Sequence, residues 1–153
     1  SQKRWFANQY SKVIDRINKK YNLSAVLIGG KNDSICDEIN FKTRTKVINI
    51  HGQTSLRESL AIVSQANFIL GNDTGFLHAG ESLGIPAITI LGPTSRETGA
   101  GIFLKNSSVV EHKSLWCRPC SQNGSIPCYR KEQYCMTEIK SDEIMYAINK
   151  LNL

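Results

Sequence analysis

Asp73, Thr74, Gly75 and His78 lie close together just after a short apolar run, Phe68 to Leu70, which Gly71-Asn72-Asp73 brings to a stop. A helix beginning at Asp73 or Thr74 would be capped by either side chain. The first turn of such a helix offers amides and a partial positive charge to an anion, phosphate above all. Gly75 leaves room for a ligand to approach the backbone, and His78 falls one turn below the same opening. Taken singly, Asp73 and Thr74 are also ordinary caps, and His78 an ordinary partly buried histidine.

A second group able to do chemistry is Cys117-Arg118-Pro119-Cys120 with Cys128 and Cys135, in a polar, loop-rich stretch over 115–137. Four thiolates can close a tetrahedral zinc site, and a C-x2-C pair has the bite for one. The two later cysteines stand singly, and disulfides would need an oxidising compartment. Structural zinc, free thiols and disulfides all remain open on the sequence. A metal here would staple a loop and take no part in catalysis.

These residues need a scaffold, and the flanking sequence supplies an α/β one. Phe76, Ala79, Gly80 and Leu83 follow at helical spacing and are expected to face a sheet, and Gly84-Ile85-Pro86 ends the helix. Ala87 to Leu91 is a second apolar run, so Phe68 to Thr94 reads as a βαβ unit with parallel strands. Upstream, Ser1 to Lys3 leads into an amphipathic helix from near Trp5 to Tyr21-Asn22, with Phe6, Tyr10, Val13, Ile14 and Ile17 inward. Leu23 to Ile28 is strand-length and closes on Gly29-Gly30, which makes the loop from Lys31 to Asp33 a candidate pocket rim. Without a full GxGxxG fingerprint, an ordinary dinucleotide site is disfavoured.

Asp33 is expected to cap a helix running to about Thr43, with Ile35, Cys36 and Ile39 inward. Val47 to Ile50 is the next strand, and Ser55 with Glu58 matches a capping box for a helix from Leu56 to Gln65. Thr94 to Gly101 reads as a loop with substrate contacts, in which Arg96 could meet an anion, and Ser108 to Val110 as a last short strand. Ser141 is expected to cap a final helix over 141–151, in which Ile144, Ile148 and Leu151 share a face.

At 153 residues, with 21% charged and 41% hydrophobic residues, the chain fits one globular domain with a real core. The formal charge of +6 favours anionic partners such as nucleotides, phosphorylated glycolipid or an acidic membrane surface. Nucleic acid is not expected: the basic residues are scattered, and no aromatic stacking platform accompanies the cysteines. No run approaches the roughly 20 apolar residues of a membrane span. A soluble, cytoplasmic protein is expected, and a chain that starts at Ser1 without Met is expected to be a piece of a longer one.

Asn72-Asp73-Thr74-Gly75, Leu77-His78, Leu83-Gly84-Ile85-Pro86 and Leu91-Gly92-Pro93-Thr94 resemble the signature of the ADP-heptose:lipopolysaccharide heptosyltransferases, glycosyltransferase family 9. The resemblance runs the length of the chain. Members pair two Rossmann-like domains in the GT-B arrangement, and this chain resembles only the C-terminal, nucleotide-sugar-binding one. It implies a single domain over 1–153, a parallel sheet with helices on both faces, and an N-terminal acceptor domain not included here. The terminal helix helps tie the two domains together in that arrangement.

The implied reaction is transfer of heptose from ADP-heptose to the lipopolysaccharide core with inversion, using no catalytic cofactor. Lys3, two positions before Trp5, resembles a family lysine that contacts donor phosphate. By the same resemblance Thr74 and Gly75 fall to phosphate, Asp73 to a sugar or ribose hydroxyl, His78 to phosphate or to orienting Asp73, and Thr54 to the base pocket. The catalytic base is expected in the N-terminal domain, and the full-length protein at the inner face of the inner membrane through peripheral contact. Phe76 stands where the family has Pro and Glu81 where it has a small apolar residue. A UDP-sugar donor, or a nucleotide-binding module without catalysis, are therefore the alternatives.

Overall fold

A computed structural model describes residues 2–151 and 153 of the chain. Helices and strands alternate: α1 (Ala7–Tyr21), β1 (Ala25–Leu27), α2 (Ile35–Lys42), β2 (Val47–Asn49), α3 (Leu56–Val63), β3 (Ile69–Asn72), α4 (Gly75–Ser82) and β4 (Ala87–Leu91). A 3-10 turn (Arg96–Thr98), β5 (Ser108–Glu111), α5 (Tyr134–Thr137) and α6 (Ser141–Ile148) complete it. Every strand pair is parallel, as the βαβ rhythm requires. The hydrogen bonds fall into two ladders, β1-β2 and β3-β4-β5, where a single sheet was expected.

β4 is the central strand of the larger ladder and is buried at all five positions. Ile88 and Ile90 pack with Val13 and Ile17 of α1 and with Ile144 and Ile148 of α6, while Ala87 packs on the opposite face with Leu77 of α4 and Ile102. Helices thus cover both faces of this ladder, which is why four of the five residues of β4 are apolar and the fifth, Thr89, is buried with them. In the smaller ladder Ala25, Leu27 and Val47 pack against Ile14 of α1 and Ile39 of α2, whereas Val26 and Ile48 are exposed.

Several local expectations shift. Phe6 precedes α1 as its N-cap and is exposed, so the inward stripe begins at Ala7. Gln2 and Lys3 form a turn, and Ser1 lies outside the described residues. Asp33 does not cap α2: its carboxylate accepts from the Gly30 amide at 2.8 Å and pairs with Arg4 at 3.1 Å. The Ser55–Glu58 capping box forms as expected.

α4 turns Gly80 inward as expected, but with it go Leu77 and Glu81 in place of Phe76, Ala79 and Leu83. Gly80 allows this by letting side chains of Ile69 and Val63 come within 3.2 and 3.3 Å of where a Cβ would sit. The buried Glu81 carboxylate is satisfied by the amides of Phe103 and Leu104 at 3.0–3.1 Å. Ser141 is the first residue of α6 and not its cap; Glu143 accepts instead from the Lys140 amide at 2.9 Å. No helix among the described residues is long and apolar enough to cross a membrane.

Candidate functional site

β3 ends at Asn72, and its side chain fixes the approach to the site. Asn72 Oδ1 accepts from the Trp5 amide at 3.0 Å and from the Tyr10 hydroxyl at 3.1 Å, and its Nδ2 donates to Ile90 O at 3.1 Å. Trp5 is itself buried, with Nε1 bonded to Ile139 O. The segment before α1 is therefore pinned beside the end of β3, and Lys3, two residues ahead of the buried Trp5, comes to lie over Asp73.

Lys3 Nζ donates to Asp73 Oδ2 at 2.9 Å and to Asp73 O at 3.0 Å, and His78 Nε2 stands 3.0 Å from Asp73 Oδ1. Burial pushes the Asp73 carboxyl up, but hydrogen bonds from Lys3 and His78, together with their charges, outweigh it and hold the group below the usual aspartate value. Asp73 is ionised at neutral pH and faces a cation on one side and an imidazole on the other.

Because Asp73 is engaged this way, it does not cap α4. Thr74 is the N-cap residue and makes no side-chain cap hydrogen bond either, which corrects the expectation that one of them would. The start of α4 is left uncapped beside a cavity of about 360 Å³, lined by Lys3, Asp73, Thr74, Gly75 and His78 on one side and by Thr98, Gly99, Ala100, Gln122 and Asn123 on the other. A Cβ at Gly75 would meet nothing within 4 Å. Nothing in the packing requires glycine there; the space in front of it belongs to the cavity.

Five sequence-nominated residues thus come together: Lys3, Asp73, Thr74, Gly75 and His78. Thr54 does not join them. It precedes α3, with Oγ1 2.8 Å from Ser59 Oγ, and lines no part of this cavity. A larger cavity of about 530 Å³ between the start of α1 and α2 is lined by Arg4, Phe6, Glu38 and Lys42 among others. It contains none of the nominated residues. Thr98 to Ala100 fall within the loop where substrate contacts were expected, whereas Gln122 and Asn123 carry no sequence signal, since only the return of a distant segment brings them here.

That segment is clamped by Arg118. Its guanidinium donates to the carbonyls of Leu91, Gly92, Thr94 and His112 and to Glu111 Oε2 at 2.9 Å, with only 6% of the side chain exposed. All five cysteines are free thiols. Burial, with Cys117 and Cys128 nearby, pushes the Cys120 thiol up; burial does the same at Cys135. The donor set suits a tetrahedral metal, but among the described residues no group of three or more His, Cys, Asp or Glu is arranged to hold one.

Known proteins resemble the chain as follows. The family model described as glycosyltransferase family 9 (heptosyltransferase) matches residues 1–129. Lipooligosaccharide heptosyltransferase 2 of Haemophilus influenzae is 26% identical over 97 residues, covering 61% of this chain and 28% of that protein. A glycosyl transferase family 9 structure from Veillonella parvula superposes with a TM-score of 0.78 at 21% identity, over 98% of this chain and 42% of that one. The ADP-heptose lipopolysaccharide heptosyltransferase II of Escherichia coli does so with a TM-score of 0.76 at 19% identity, over 97% of this chain and 42% of that one. The chain thus spans well under half the length of these relatives.

Proposed function

The chain belongs to glycosyltransferase family 9 (heptosyltransferase), and on that premise we propose that residues 1–153 form the donor-binding domain of an inverting transferase that moves heptose from ADP-heptose to the lipopolysaccharide core. The observation that carries this reading is the Lys3–Asp73–His78 cluster beside the uncapped start of α4 in an open cavity. When the glycosidic bond breaks, negative charge develops on the leaving diphosphate. Groups already fixed in position stabilise it best, since they need no reorganisation.

Lys3 supplies a cation, and Thr74 and Gly75 supply the hydroxyl and backbone of the first turn. Asp73 is fitted to accept from a sugar or ribose hydroxyl, with His78 holding its second oxygen. Thr54, outside the cavity, is left for the nucleobase. Proton removal from the acceptor is assigned to a base in a separate acceptor domain, so this chain alone binds donor nucleotide and transfers nothing. The departure at Glu81 is structural, because its carboxylate serves the amides of Phe103 and Leu104. It therefore says nothing against a heptose donor.

No step in this scheme uses a metal. A zinc ion on Cys117, Cys120, Cys128 and Cys135 would brace the segment and would require those side chains to converge; metal analysis of chelator-washed protein decides it. For the whole protein this reading implies peripheral contact with the cytoplasmic face of the inner membrane. Titration calorimetry with ADP and UDP tests the central reading. Binding of ADP in preference to UDP is expected; preference for UDP would transfer the proposal to a UDP-sugar donor, and binding of neither would remove it.

A further inference from the structure

The cysteine segment reaches the cleft through a short turn, residues 121–124, and that turn is held from two sides. The amides of Cys120 and Ser121 donate to Pro93 O at 3.1 and 3.3 Å, fixing its start to the loop after β4. The buried Ser121 hydroxyl accepts from the Gly124 amide at 2.9 Å, closing the turn. Farther along, Gln133 Nε2 donates to Gln2 O, next to Lys3.

Gly124 has φ +75° and lies against the lysine stem: a Cβ there would stand 2.4 Å from Lys3 Cγ, 2.9 Å from Cδ and 3.3 Å from Cε. These are not the free end of a flexible chain. The backbone near Lys3 is anchored through Trp5, and its Nζ is bonded to Asp73, so the stem cannot yield without moving the ammonium.

We propose that Gly124 is a positioning residue for Lys3: lacking a side chain, it seats the lysine stem so that Nζ stands over Asp73 at the mouth of the cleft. The inference rests on the donor-site reading and extends it, since it makes the cysteine segment a supporting wall of that site. The expected chain of effect runs from the turn to the lysine, and from the lysine to the carboxylate and the bound diphosphate.

Two measurements on the full chain test it. The first follows the Asp73 carboxyl by carbon-13 NMR titration with no ligand present. Its midpoint is expected to rise in Gly124→Ala, as in Lys3→Ala, and Gly124→Ala is expected to raise it no further once Lys3 is already alanine. Ser121→Ala loosens the turn without adding a Cβ and should move the midpoint the same way by less, which keeps the test open if Gly124→Ala folds poorly.

The second measurement is ADP binding by calorimetry, expected to weaken about tenfold in Gly124→Ala, the size of one charge-assisted hydrogen bond. An Asp73 midpoint unmoved by both turn variants overturns the positioning role, even if ADP binds. Equal losses of ADP binding with and without the Lys3 side chain would overturn it too, assigning Gly124 to the loop alone. If the midpoint responds as expected and ADP does not bind at all, the positioning stands and the nucleotide reading falls.

Discussion

The two ladders are built to different standards. β4 is buried on both faces between α1 and α6 on one side and α4 on the other, whereas the middle residues of β1 and β2, Val26 and Ile48, are 39% and 48% exposed. The five gathered site residues hang from the larger ladder or from the segment pinned to it. Thr54, which follows the smaller ladder, stays outside the cavity. The difference teaches that the charged groups sit where the strands beneath them are most deeply buried, which is what the proposed stabilisation of a diphosphate by fixed groups would require.

The comparison breaks most directly at Ile90. It is 1% exposed in the main core, and Ile90→Ala is expected to cost about 2–5 kcal/mol of stability in denaturant unfolding. Next comes Lys3→Ala, which should weaken ADP binding by about 1.5–3 kcal/mol, the range for a hydrogen bond to a charged group. The same pair gives a pH dependence. The Asp73 carboxyl is held below its unfolded value, so its stabilising contribution is complete above that value and is lost as pH falls through the folded one. Lys3→Ala should shrink this loss in acid unfolding curves.

Gly75→Ala sharpens the contrast between support and function. Added into open space at the first position of α4, the methyl should leave stability unchanged or raise it by about 0.5–1 kcal/mol, while ADP binding falls. A loss of both would mean that the glycine serves packing. The smallest effect is expected at the other ladder, where Val26→Thr should change stability by about 0.5 kcal/mol or less.

How far the sequence could be read follows the same division. β4 was legible to the residue, because a strand-length run of Ala, three branched aliphatics and one β-branched Thr stands between Pro86 and Gly92. The Ser55–Glu58 box was legible because its partners are three apart. The inward face of α4 was misplaced because hydrophobicity selects Phe76 and Leu83, while the fold buries a carboxylate whose amide partners, Phe103 and Leu104, lie more than twenty residues on. The missing side-chain cap had a similar cause. Asp73 has the chemistry of a cap, and only the arrival of Lys3 from the far end of the chain draws it elsewhere. The wall at Gln122 and Asn123 was silent, since what places it is a guanidinium bound to carbonyls of the β4 end and its neighbours.

The ammonium at the cleft mouth is already engaged with a carboxylate before any ligand arrives. Under the proposed function, an incoming diphosphate does not drop into bare positive potential; it shares the ammonium with an internal anion, and the lysine keeps its seat. Capture then sets phosphate beside a carboxylate, so the incoming molecule must offset that neighbouring negative charge with a hydroxyl the aspartate can accept from. Such sharing favours a ligand carrying both groups at the right separation over one carrying phosphate alone.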